Sequence, residues 1–281
     1  MANRRHKVCP PGSIRRLSLG FLICLALAAQ SAQAWFVTSP KAPETKPAVT
    51  SIPRGTILPV RLNDTLSSVT SKPRQMVTAR IMQNVPLPNG SKIPKGSKVE
   101  GRIVEVVLGN GTPGARISIQ FDRLRLSHRV IPIVANLRAI AGFMEVYAAQ
   151  TPAFGPGIGE VFRWLTTTQI GGDVVYGDGG PVTSAEDGAE VIGKAVDGGV
   201  LVRVSANERM GCRGEVDGNH NPQALWVFSS NACGTYGLTH VQVPHVGRTD
   251  PIGVVILASD RSTLKIQSGA GMLLRIGESI Q

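Results

Sequence analysis

The sequence predicts a mainly β protein: an antiparallel barrel or sandwich carrying a Gly-rich, disulfide-closed insertion and one short helix. Three observations point there. A ten-residue segment recurs, Ile52-Pro53-Arg54-Gly55-Thr56-Ile57-Leu58-Pro59-Val60-Arg61 returning as Ile93-Pro94-Lys95-Gly96-Ser97-Lys98-Val99-Glu100-Gly101-Arg102. Apolar and polar residues alternate in runs of strand length between Gly and Pro turns. The chain then changes character over residues 144–219, where glycines and prolines crowd together.

Each copy of the recurring segment sets a turn and then a strand. Proline fixes φ at the second turn position, and glycine two residues later ends the turn without a Cβ clash. The residues that follow are free to run extended.

Residues 1–34 have the composition of an export signal. Arg4, Arg5, Lys7, Arg15 and Arg16 form a basic start without an acidic residue, and the apolar run Leu17–Ala29 follows. That run is shorter than the roughly 20 residues of a membrane helix. Ala32-Gln33-Ala34 fits the small-x-small pattern and places cleavage between Ala34 and Trp35. A short buried helix is the competing assignment. Ser13-Ile14-Arg15-Arg16-Leu17 matches a twin-arginine signal only in part, which favours the general secretory route, and bulky Ile23 before Cys24 argues against a lipid anchor. The mature protein is expected in the periplasm, at the outer membrane or outside the cell, with at most peripheral membrane contact.

The full chain has 30 Lys and Arg against 19 Asp and Glu, a net charge of +11. Five of the basic residues leave with the signal, so the mature part holds 25 against 19, or +6. Such a balance favours anionic envelope surfaces. It lacks the basic runs interleaved with aromatics that mark nucleic-acid binding, so no nucleic-acid partner is expected. Cys9 and Cys24 leave as well, and the remaining Cys212 and Cys233 are expected to pair in an oxidising compartment. A metal site using Cys212, Cys233, His220 and His240 is the alternative, but its spacing matches no zinc template.

Residues 35–51, rich in Pro, Ser, Thr and Lys, predict a flexible linker. A β domain over 52–143 follows, with strands at Thr56–Leu62, Gln75–Gln83, Lys98–Leu108 and Arg129–Ile140. Ile117, Ile119 and Phe121 alternate, and the apolar phase slips by one before Leu124 and Leu126, which predicts a bulge near Asp122-Arg123. In the Gly-rich region 144–245, Ile158, Val161, Phe162 and Leu165 fall at helical spacing, Gly171-Gly172-Asp173 and Gly177–Gly180 read as tight turns, and Val200–Val204 and Leu225–Phe228 read as strands. Within 246–281, Gly253–Ala258, Thr263–Gln267 and Met272–Ile276 carry further β signals that could complete the first domain.

The chemistry-bearing residues assemble no familiar motif. There is no G-x-S-x-G elbow, and the glycine clusters lack the Lys-Ser/Thr pair of a phosphate loop. Gly155-x-Gly157-x-Gly159 has the wrong spacing for a dinucleotide fingerprint, and Asp173 and Asp178 lie outside any D-x-D-x-D-G calcium loop. His220 sits in the turn sequence Gly218-Asn219-His220-Asn221-Pro222. No catalytic residue, cofactor or metal is therefore expected.

Residues from Ile52 to about Ile140 resemble the C-terminal barrel domain of the TrbI-like proteins of conjugation and type IV secretion systems. The likeness rests on Ile52-Pro53-Arg54-Gly55-Thr56-Ile57-Leu58-Pro59-Val60, on Val77-Thr78-Ala79-Arg80-Ile81, on Ile93-Pro94-Lys95-Gly96-Ser97 leading into Gly101-Arg102, and on Phe121-Asp122-Arg123-Leu124. The resemblance implies a barrel and a place in an outer-membrane ring around a secretion channel. The chain departs from the family in its cleavable signal and in lacking a long proline-rich bridge. Together these features predict an exported, non-catalytic envelope module, structural or binding, with protein or glycan partners and a homo-oligomer as one assembly. An exported hydrolase with its site in the Gly-rich half is the alternative.

Overall fold

The computed structural model describes residues 49, 51–111, 114–151, 166–177, 179–188, 190–214, 221–246 and 253–277. The Ala34–Trp35 bond, nearly all of the linker, the helix expected over Ile158–Leu165, and Asp178 and His220 lie outside them.

In chain order the first block contains β1 (Ile57–Leu62), β2 (Leu66–Ser67), β3 (Met76–Ile81), β4 (Val85–Pro86), β5 (Lys92–Ile93), β6 (Lys98–Val107), β7 (Arg116–Leu126), β8 (Arg129–Pro132) and β9 (Ala135–Ala141). Helix α1 (Phe143–Ala149) follows. Next come β10 (Thr166–Thr168), β11 (Val174–Tyr176), β12 (Pro181–Thr183), β13 (Val191–Val196), β14 (Gly199–Val202), β15 (Gln223–Ala224), β16 (Gly234–Tyr236) and β17 (Val241–Gln242). The last strands are β18 (Val255–Ser259), β19 (Lys265–Ile266) and β20 (Gly271–Ile276).

The recurring segment forms the same turn twice, with one correction to its geometry. Proline occupies the first turn position, not the second: the Thr56 N–H donates to Pro53 O (3.2 Å) and the Ser97 N–H to Pro94 O (3.2 Å). Gly55 and Gly96 then sit third, at φ 84° and 89°, where a type II turn needs a left-handed residue. Each copy also has its hydroxyl bonded back, Thr56 Oγ1 to Pro53 O and Ser97 Oγ to Pro94 O.

A third copy lies at the far end of the chain, in Ile266-Gln267-Ser268-Gly269-Ala270. Ala270 N–H donates to Gln267 O (3.2 Å), and Gly269 has φ 90°. All three turns tie to a neighbouring strand in one way. The glycine N–H donates to the last residue of that strand, which donates back to the carbonyl after the glycine. The partners are Gly55 and Thr56 with Ile276, Gly96 and Ser97 with Ile81, and Gly269 and Ala270 with Leu62, all at 2.8–2.9 Å. Two copies extend further, since β4 pairs β5 with Val85 opposite Ile93, and β2 pairs β19 with Leu66 opposite Ile266. One unit is continuous in the chain. The other is assembled from its two ends.

The larger sheet runs β16-β9-β20-β1-β3-β6-β7-β18-β17, with β8 also on β7. Its pairs are antiparallel except β16 with β9. Strands β18 and β20, from the last stretch of the chain, are inside it, while β16 and β17 form its edges. Laid flat, nine strands would hold their edges about 38 Å apart. Tyr236 and Val241 are consecutive edge residues five steps apart, a reach of about 17 Å. The sheet is therefore curled, although its ladder does not close into a barrel. Leu58, Val60, Val77, Ile81, Ile117, Phe121 and Met272 fill the inside of the curl.

The expected bulge is present. Glu100 pairs Arg123 and Gly101 pairs Phe121, leaving Asp122 as the extra residue of β7. Glycine is required opposite, because a Cβ on Gly101 would lie 2.2 Å from Gln120 O.

Three expectations are corrected. Arg129–Ile140 is two strands, because β8 pairs β7 whereas β9 crosses to β20. Leu225–Phe228 is a turn, closed by Phe228 N–H to Leu225 O and carrying Trp226 at φ 56°. The Gly-rich region holds more strands than the two expected there, since β10 to β15 form a six-stranded antiparallel meander that includes β14 at the expected Val200–Val204. A second core, with Ile57, Ala139, Leu273, Val146, Val182, Trp226 and Phe228, joins this meander and α1 to the outer face of the large sheet.

Candidate functional site

The Gly-rich half, where the alternative hydrolase reading would place a site, holds the disulfide and several buried polar residues. Cys212 and Cys233 are joined, and both are buried. The described residues contain no group of three His, Cys, Asp or Glu placed to hold an ion. His240 lies elsewhere, with Nδ1 3.1 Å from Asp260 Oδ2 and Nε2 3.1 Å from Arg261 Nη2.

Arg138, on β9, is the residue that sequence reading missed. It is 1% exposed. Nη1 donates to Arg213 O (2.8 Å), and Nη2 donates to Ser205 O (2.9 Å) and more weakly to Ser230 O (3.4 Å). One guanidinium thus pins three loops, including the residue after Cys212. Burial, reinforced by the positive charge of Arg275, pushes Arg138 down to about 10, so it stays protonated at neutral pH. The available signal was a lone arginine between apolar neighbours, Leu137 and Ala139-Ile140-Ala141.

Asp173, considered above for calcium, has a structural role. Its Oδ2 accepts the Ser230 N–H (2.6 Å) and its Oδ1 the Ala185 N–H (2.9 Å). Ser229 Oγ accepts the Asp173 N–H and donates to Ile170 O. Two glutamines stitch the sheets together. Gln83 donates to Val200 O and accepts the Trp226 N–H, both at 2.8 Å, and Gln223 accepts the Ile57 N–H at 3.2 Å.

Several clefts border this framework. One of about 460 Å³ is lined by Glu186, Glu190, Arg203, Ser205, Asn221 and Ser230 among others. Ser205 Oγ donates to Ser230 Oγ (3.1 Å), so the hydroxyls there bond each other. The second, about 450 Å³, lies between the sheets beside Lys95, Gln169, Gly198-Gly199 and Trp226. Among the described residues, no helix is long and apolar enough to cross a membrane. No protein-family model matches this chain, and no curated protein matches it.

Proposed function

We propose that this chain is an exported, non-catalytic β protein of the cell envelope that works as a structural or binding module, with a TrbI-like block related to secretion-channel barrel components. The observation that carries the proposal is the use of four buried polar side chains, in the Gly-rich half and beside it, as ties to backbone. Arg138, Asp173, Gln83 and Gln223 are all engaged with backbone. Such residues hold a shape. The curl of the larger sheet supports a barrel-like block, and its edges β16 and β17 offer backbone to a partner strand.

The test is native mass spectrometry of the protein purified from an envelope fraction. A ring or a heteromeric complex is expected, on a chain beginning at Trp35. A clean soluble monomer, or a chain whose N-terminus is intact, would overturn the proposal.

A further inference from the structure

One row of the large sheet carries cations on four neighbouring strands. Arg61 of β1 stands opposite Arg80 of β3, Arg80 opposite Lys98 of β6, and Lys98 opposite Arg125 of β7. Residues directly opposite share a face, so all four project from the outer side, and all four are exposed. The row spans about 14 Å at ordinary strand spacing. Like charges directly opposite are destabilising in a sheet, so folding gives no reason for this row. Glu100 accepts two bonds from Arg125, at 2.8 and 3.1 Å. Among the described residues no ion pair engages Arg61, Arg80 or Lys98.

The row continues into an apolar tip. Opposite Arg61 on its other side is Gly271 of β20, whose outer face is covered by Val146 of α1, with Trp226 and Phe228 close by. Helix α1 therefore stands one strand away from the cations. It exposes Phe143 (44%), Met144 (67%) and Tyr147 (59%), with the Phe143 and Tyr147 rings stacked at 6.4 Å. Apolar and aromatic side chains beside three cations that join no ion pair among the described residues match a lipid interface, where rings enter the headgroup layer and cations meet its charge.

We propose that Arg61, Arg80 and Lys98, together with Phe143, Met144 and Tyr147 of α1, form a docking surface for an anionic lipid membrane. This deepens the envelope proposal by naming the surface that the module contacts, and it can fail while the assembly result stands. The experiment is flotation of the exported protein with vesicles of phosphatidylcholine alone or with three parts in ten phosphatidylglycerol. Binding to the anionic vesicles is expected, falling as salt rises. Arg61→Gln/Arg80→Gln/Lys98→Gln should bind about a hundredfold more weakly, at roughly fivefold per charge. Met144→Ser/Tyr147→Ser should weaken binding while leaving its salt dependence in place. These positions are exposed, and circular dichroism of each variant confirms that folding is unchanged. Equal binding to both vesicle types, no binding to either, or unchanged binding by the triple variant would overturn the proposal. So would retention on an anionic polysaccharide without vesicle binding, which would assign the row to glycan.

Discussion

The two halves of this molecule are held together by different means. The large sheet encloses an apolar interior and repeats one turn three times, with little polar chemistry inside. The disulfide-closed half has a smaller, shared core and relies on a covalent bridge, a buried arginine and a buried aspartate. Where there is too little apolar surface to bury, defined bonds to backbone and a cross-link take its place. The first half is stabilised by many interchangeable contacts, and the second by a few that cannot be exchanged.

Single substitutions should therefore differ sharply between the halves. Arg138→Ala takes the donor from the Arg213 and Ser205 carbonyls, while Ser230 O keeps the Ser205 N–H, and should cost about 3–5 kcal/mol, read from urea unfolding. Arg138→Lys should recover only part of this, because an ammonium cannot span three loops. Cys212→Ser/Cys233→Ser removes a cross-link between residues 21 apart and should cost about 3 kcal/mol. A loss confined to the meander, seen as faster amide exchange there with the large sheet unchanged, would sharpen the contrast. Uniform loss would break it.

Smaller effects belong to the repeated turns. Gly96 faces open space, so Gly96→Ala should cost only the left-handed backbone penalty, about 1 kcal/mol. A Cβ on Gly269 would meet the Phe143 ring at 2.6 Å, so Gly269→Ala should cost more and loosen α1. Equal losses at both glycines would refute the packing difference between the copies. The smallest effect is acidic. Hydrogen bonding to Arg125 holds the Glu100 carboxyl below its ordinary 4.5, so its stabilisation is present above that pH and fades as pH falls through the lowered value. Glu100→Gln should be weaker than wild type at neutral pH, with the gap closing below pH 4.5.

Much of the large sheet was legible in the sequence because its strands alternate and its turns carry proline and glycine. Even the slip at Asp122 announced the bulge. The third turn went unseen, since Gln267 and Ser268 replace the Pro-basic pair and only the leading isoleucine, the glycine and its small follower remain. The meander was hidden for a different reason. Its strands β10, β11 and β12 are three residues each, too short to show a period, and the glycines between them suggested turns alone. The disulfide could be read from the expectation of export, under which Cys9 and Cys24 leave with the signal. The role of Arg138 could not, because its partners are carbonyls from loops 67, 75 and 92 residues away.

The pairing of β1 with β20 also sets a clock. Ile57 meets Arg275, and Leu62 closes against Ala270. At a synthesis rate of about 5–20 residues per second, the first strand waits roughly 10 to 40 s for this neighbour to be made. Until then one long edge of the nascent sheet is open and the second core lacks its floor. Such non-local closure folds slowly. A chain that cannot close early keeps its first strand short of a partner for nearly the length of its own synthesis.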